Sequence, residues 1–154
     1  MPQITYTSGN QRQIDKIKPL WNELNKHHYC VSPYFKDYYQ KLTFEDRKRV
    51  ILQRALGGAV RVDFALDDSG ALVGYCVSSI DKLQMGEVDT IYVCPKLRGQ
   101  GIGKALMEKA VAWLDEVGAK KKIVSVAVGN EQAYGFYEKF GFLPRRSMLE
   151  QKKH

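Results

Sequence analysis

The sequence predicts an α/β domain on a mixed sheet, and three observations carry that expectation. Hydrophobic periodicity alternates between two and about 3.6 along the chain, in the order strand, helices, three strands, helix, strand, helix, strand. A stretch holding three glycines, Tyr92 to Leu106, lies where a strand-type run turns into a helix-type run. A length of 154 residues with 44% apolar side chains suits one domain with a real core.

Each element has a local reason. "QITYTS" alternates and reads as a first strand. From Asn10, apolar positions recur at Ile14, Ile17, Trp21, Leu24 and His28, one face of a helix. Asn10 with Gln13 fits a capping box, and Pro19 means that the helix kinks or begins there. "TFEDRKRVILQRAL" is a second helix, with Thr43 as N-cap, Glu45 and Asp46 in the first turn and Gly57 past the end. "AVRVDFALDD" and "ALVGYCVSSI" flank Asp68-Ser69-Gly70 and read as a hairpin, and "GEVDTIYV" is a further strand. "GKALMEKAVAWLDEVGAK" is an amphipathic helix ending at Gly118. "KIVSVAVG" has little polarity and reads as a strand buried on both faces. "EQAYGFYEKF" is a short helix closed by Gly141, and "FLPRRSMLE" reads as a last strand.

Composition narrows the function classes. No stretch reaches the roughly 18 to 20 apolar residues needed to span a membrane. The N-terminus has no basic segment followed by an apolar one, so the reading is cytoplasmic with no membrane partner. Cys30, Cys76 and Cys94 form no CxxC pair, which argues against a disulfide framework or a metal site. The net charge of +7 favours a polyanionic or phosphorylated partner. The basic residues are spread along the chain, apart from Lys120 to Lys122 and Arg145-Arg146, and no aromatic-basic RNA motif is present, so no nucleic acid is expected.

The glycine turn has its own chemistry. The first N–H groups of a helix lack intrahelical partners and lie at the positive end of the helix dipole. Glycine lets phosphate oxygens approach that backbone, and Arg98 and Lys104 add full charges at either end. A P-loop would need Ser or Thr after Lys104, and Ala105 stands there. A dinucleotide fingerprint would need GxGxxG, and Gly99, Gly101 and Gly103 give GxGxG.

Arg98-Gly99-Gln100-Gly101-Ile102-Gly103 resembles the Q/R-x-x-G-x-G/A motif of the GCN5-related N-acetyltransferase (GNAT) family. "IYVCP" before it resembles that family's fourth strand. "VGNEQAYGFYEKFGF" resembles a second signature, with Asn130 and Tyr137 seven residues apart. The resemblance runs from about Tyr75 to Phe142; before it, only the order of elements is similar.

The resemblance implies a mostly antiparallel sheet flanked by helices and splayed between its fourth and fifth strands. It divides the single domain into a variable part, residues 1–59, on the acceptor side, and a core, residues 60–154, that binds the cofactor. It implies acetyl-coenzyme A, with pyrophosphate on the backbone from Arg98 or Gly99 through Gln100, Gly101, Ile102 and Gly103 to Lys104. Pantetheine would pair with Ile91, Tyr92 and Val93 and be held by Asn130. Tyr137 matches the family's frequent general acid. A homodimer is compatible with it.

An alkylamine with a pKa of about 10.4 is protonated at neutral pH and cannot attack a thioester until a base takes its proton. Glu87 and Asp89, two apart on a strand, should share a face and supply that base, with Glu87 at the position of the family's glutamate. The alternatives are Asp89 as base, or neither. Tyr29, Tyr34 and Tyr38 could line an acceptor site for a cation. The acceptor is read as a primary amine on a small cationic molecule, with a protein lysine or N-terminus as the alternative. A non-catalytic acyl-coenzyme A sensor is the rival of another class. It would be favoured by absence of Glu87, Asp89 or Tyr137, all of which are present.

Overall fold

A computed structural model describes residues 2–153. Strand β1 (Thr5–Gly9) leads into a 3-10 turn over Gln11–Ile17, capped by Asn10 in a full capping box with Gln13. Helix α1 (Lys18–Val31) follows directly, with Pro19 in its first turn, where its missing N–H is harmless. The proline therefore marks a beginning and not a kink. Helix α2 (Lys36–Lys41) holds Tyr38 and Tyr39, and α3 (Phe44–Arg54) starts at the Thr43–Asp46 capping box. Strands β2 (Ala59–Leu66), β3 (Leu72–Ile80) and β4 (Met85–Val93) form an antiparallel meander. Helix α4 (Ile102–Glu116), strand β5 (Lys121–Val124) and helix α5 (Ala133–Glu138) complete the regular elements.

The five strands lie in the order β1-β2-β3-β4-β5, antiparallel except for the parallel β4–β5 pair. The sheet divides two cores. On one face Val60, Val62, Phe64, Tyr75, Val77 and Tyr92 pack under Ile14, Ile17, Trp21, Phe44 and Ile51. On the other face Val73, Cys76, Ile80, Val88 and Val93 pack under Ile102, Leu106, Met107, Ala110 and Leu114 of α4. At about 1.5–3 kcal/mol for each large apolar side chain buried, these two layers supply the main stabilisation.

Two expectations fail at the C-terminal end. β5 is four residues long and not buried on both faces: Lys121 and Ile123 are exposed. It pairs only with β4, so one edge carries no strand among the described residues. The expected last strand is absent, and residues 143–153 are irregular and exposed. Pro144 removes a ladder donor there, and Arg145-Arg146 would add charge beside Lys121 and Lys122.

Candidate active site

Strand β4 organises the site through one irregularity. Val77 pairs with Thr90, but Ser78 pairs with Val88, so Asp89 is an extra residue, a bulge. Without it, Val88, Thr90 and Tyr92 would share a face. With it, Val88 turns to the α4 side, while Thr90 and Tyr92 turn to the α1 and α3 side. The Thr90 hydroxyl meets the buried Tyr75 hydroxyl at 2.7 Å there. The bulge therefore places Glu87, Asp89 and Thr90 on one face, which strict alternation forbids.

The splay begins at the same residue. β4 and β5 pair from Met85–Lys121 to Val88–Val124, and beyond Val88 the strand has no partner strand on that side among the described residues. The Cys94 N–H donates to the Val73 carbonyl at 2.9 Å, which fixes the phase of the ladder. Tyr92 and Thr90, two and four residues back, also turn their backbone groups to β3; Ile91 and Val93 turn theirs to the open side. Tyr92 thus departs from the expectation that all three line the gap, because its backbone groups face β3. The Val93 carbonyl already accepts from Arg98 Nε at 2.9 Å, and the Arg98 guanidinium lies 5.1 Å over the Tyr92 ring.

At the end of β4 the chain enters the glycine turn. Gly99 and Gly101 have φ of +80° and +85°, the left-handed region that only glycine enters without strain. A Cβ at either would meet no atom within 4 Å, so this side of the turn is open. Gly103 differs: its φ is not positive, and a Cβ there would lie 3.3 Å from the Phe136 ring. It is small so that α4 can pack against α5. Gln100 is exposed, Ile102 is buried in the α4 core, and Lys104 points to solvent near Glu108. Open backbone at a helix start, with Arg98 and Lys104 nearby, fits a pyrophosphate. The unpaired edge of β4 fits an amide-bearing arm. These are the residues that would hold acetyl-coenzyme A.

Asn130 and Tyr137 lie on the β5–α5 side. Asn130 Oδ1 meets His27 Nε2 of α1 at 3.1 Å, a bridge between the two sides of the cleft. Tyr137 packs on the core under α4, and burial pushes its phenol up to about 12.

The acidic pair is held from α3. Glu87 Oε1 is 3.5 Å from Arg54 Nε, and Asp89 Oδ1 is 3.7 Å from Arg54 Nη2. Ser79 donates to Asp89 Oδ2 at 2.6 Å and itself accepts from Arg54. Arg47 donates to the Asp89 carbonyl at 2.7 Å. The Glu87 side chain is 15% exposed and that of Asp89 only 1%. Burial raises the Asp89 carboxyl to about 7; the Ser79 hydrogen bond opposes this, and the Glu87 charge adds to it. Like-charge repulsion from Glu87 is thus a lesser cause than desolvation.

Of the tyrosines, Tyr29 is already covered by a cation of this chain. Lys36 Nζ lies 5.2 Å over its ring and donates to the Tyr29 and Cys30 carbonyls. Tyr34 and Tyr38 are exposed, and Tyr38 packs edge-on to Tyr39. His28, against Tyr39 and near Arg47, is held neutral, its pKa lowered to about 4 chiefly by burial. Sequence reasoning missed Arg47, Arg54 and Ser79. One signal existed: Arg47 and Arg54 are seven apart, hence on one helix face, as are the buried Phe44 and Ile51.

The profile of the acetyltransferase (GNAT) family matches residues 18–142. An uncharacterized N-acetyltransferase of Methanocaldococcus jannaschii is 34% identical over 85 residues, 51% of this chain and 38% of that protein. A mycothiol acetyltransferase of Propionibacterium freudenreichii is 33% identical over 81 residues, 51% of this chain and 26% of that protein. The chain therefore spans less than half the length of these curated relatives. A solved structure described as an acetyl transferase of Pyrococcus furiosus is 28% identical, with a TM-score of 0.69, covering 97% of this chain and 100% of that one. Matched over most of its length, and carrying the splayed strands and the open glycine turn, the chain belongs to the acetyltransferase (GNAT) family.

Proposed function

We propose that the protein transfers an acetyl group from acetyl-coenzyme A to a primary amine of a small cationic molecule, with both bound together. The observation that carries this reading is the coincidence of the bulge and the splay at Asp89. One residue opens the β4 edge and turns carboxylates toward the face beneath α3. Acetyl-coenzyme A, when bound, supplies an acetyl thioester open to an attacking amine.

The chain's own residues then divide the work. The N–H groups at the start of α4 and the side chains of Arg98 and Lys104 bind phosphate. The Ile91 and Val93 backbone groups on the open edge orient the arm and hydrogen-bond to the carbonyl oxygen where negative charge grows; one such donor contributes about 3 kcal/mol. Glu87, the more exposed carboxylate, takes the proton from the ammonium, directly or through one water. The amine nitrogen would form the new bond to carbon as the carbon–sulfur bond breaks, and the second proton that the nitrogen sheds would pass through solvent to the departing thiolate, leaving amide and free thiol. Tyr137 serves the departing sulfur. A phenol at about 12 keeps its proton against a thiolate whose thiol has a pKa of about 8.5, so Tyr137 stabilises by donating a hydrogen bond. Tyr34 and Tyr38 offer exposed aromatic faces to the acceptor.

The test is release of free thiol from acetyl-coenzyme A against polyamines, aminoglycosides, amino acids and lysine peptides. Turnover with a small amine is expected. Turnover with peptides alone would replace the acceptor by a protein amine. Tight binding without turnover on any amine would make the protein an acyl-coenzyme A sensor.

A further inference from the structure

Arg54 lies at the centre of a charge cluster that the proposed reaction does not by itself require. Its guanidinium faces three carboxylates. Nε is 3.5 Å from Glu87, Nη2 is 3.7 Å from Asp89, and Nη1 is 3.9 Å from Asp81. Two hydrogen bonds fix its pose: Nη1 to the Met85 carbonyl at 3.5 Å, and Nη2 to Ser79 Oγ. Arg47, two turns earlier on α3, takes the Asp89 carbonyl. From α1, His28 faces Arg47 and is held neutral, so it adds no charge. Two guanidiniums therefore meet three carboxylates, and full ionisation would leave one negative charge over in a site where Asp89 is almost wholly buried. Asp89 Oδ1 and Arg54 Nε are both buried without a hydrogen bond, so the cluster is held by charge as much as by geometry.

We propose that Arg54 is a positioning residue: its guanidinium, set among Glu87, Asp89 and Asp81, supplies the positive charge that holds the Glu87 carboxylate in place as base. The consequence for the reaction rests on the reading of Glu87 as base. Burial favours the proton at Asp89, the carboxylate with no route to water. Glu87, the more exposed of the two, is the carboxylate that a proton from the acceptor can reach. Without Arg54, one guanidinium would face three carboxylates, and Glu87 would take up a proton at higher pH. The base would be neutralised in the range where the enzyme works, although Arg54 never touches the substrate.

The experiment follows the carboxyl carbons of Glu87 and Asp89 by carbon-13 NMR over a pH series, with Glu87→Gln and Asp89→Asn assigning the signals. In Arg54→Gln the Glu87 midpoint should rise by about one pH unit or more, and in Arg54→Lys it should stay near the wild-type value. Asp81→Asn offers the opposite test. Asparagine keeps the oxygen that accepts from the Leu83 and Met85 N–H groups, but removes a competitor for Arg54. The Glu87 and Asp89 midpoints should fall in that variant, which also decides the matter if Arg54→Gln does not fold. Unmoved midpoints in folded Arg54→Gln, or in Asp81→Asn, would overturn the proposal. Rate profiles of the same variants separate it from the base assignment. If the midpoint shifts in Arg54→Gln but Glu87→Gln keeps its rate and pH profile, the charge role stands and Glu87 is not the base.

Discussion

The glycine turn and the Arg54 cluster lie at opposite ends of the open stretch of β4, and they are built by different means. The turn, residues 98–104, works through backbone: two left-handed glycines, free N–H groups at the start of α4, and open space where side chains would be. Its parts are neighbours in sequence. The cluster works through side chains from α3, β3, β4 and the turn at Asp81, up to 42 positions apart in the chain. A local device survives any change that leaves its backbone alone. A device assembled across the sheet depends on the register of β3 against β4, and a single bulge sets that register.

Among substitutions, the largest effect belongs to the side-chain half. Glu87→Gln should lower kcat by about 10²- to 10⁴-fold while acetyl-coenzyme A binds as in the wild type. Steady-state rates with calorimetric binding check both parts, and a full rate would remove Glu87 from the chemistry. Tyr137→Phe comes next. It keeps the ring and removes a donor at the site of charge development, for a loss of about 10²- to 10³-fold in kcat. Because the phenol keeps its proton, that loss should be the same from pH 6 to 9. A loss confined to low pH would restore full proton donation.

The backbone half should respond in affinity. Gly101→Ala makes the left-handed conformation cost about 1–2 kcal/mol, so the free turn should relax away from it and acetyl-coenzyme A, which must restore it, should bind about tenfold more weakly. Gly103→Ala directs its Cβ at Phe136 instead, and its binding should change by less than about threefold. Unchanged affinity in both variants would show that the turn is only structural.

In the wild type the net effect on stability against pH is small, because two buried groups oppose each other. Asp89 titrates near 7 in the folded chain and near 4 unfolded, so its contribution is present below pH 4 and is lost as pH rises to 7. His28 titrates near 4 folded and near 6.5 unfolded, so its contribution is gained over pH 4 to 6.5. Their slopes nearly cancel in the wild type. Asp89→Asn should leave a melting temperature that rises with pH between 4 and 6.5 relative to wild type, and His28→Asn one that falls. Parallel melting curves for all three proteins would contradict the burial of one group or the other.

The sequence by itself determined what neighbouring residues settle between them. Asn10 with Gln13 and Thr43 with Asp46 cap their helices, as their spacing requires. Asp68-Ser69-Gly70 turns the hairpin, and the strand-type runs of β2 and β3 and the glycine turn were legible because each rests on local composition and dihedral preference. The family was legible for the same reason, since its motifs are runs of adjacent residues. Tertiary structure decided the rest. It shortened β5, left residues 143–153 without a partner strand, gave the Tyr29 face to Lys36, and set Asp89 as the bulge. Pairing across strands and the loss of water around a carboxylate depend on what lies opposite a residue in space. Glu87 and Asp89 could be seen in the sequence; the arginine that sets their charge, 33 residues before the first of them, could be seen only once α3 lay against β4.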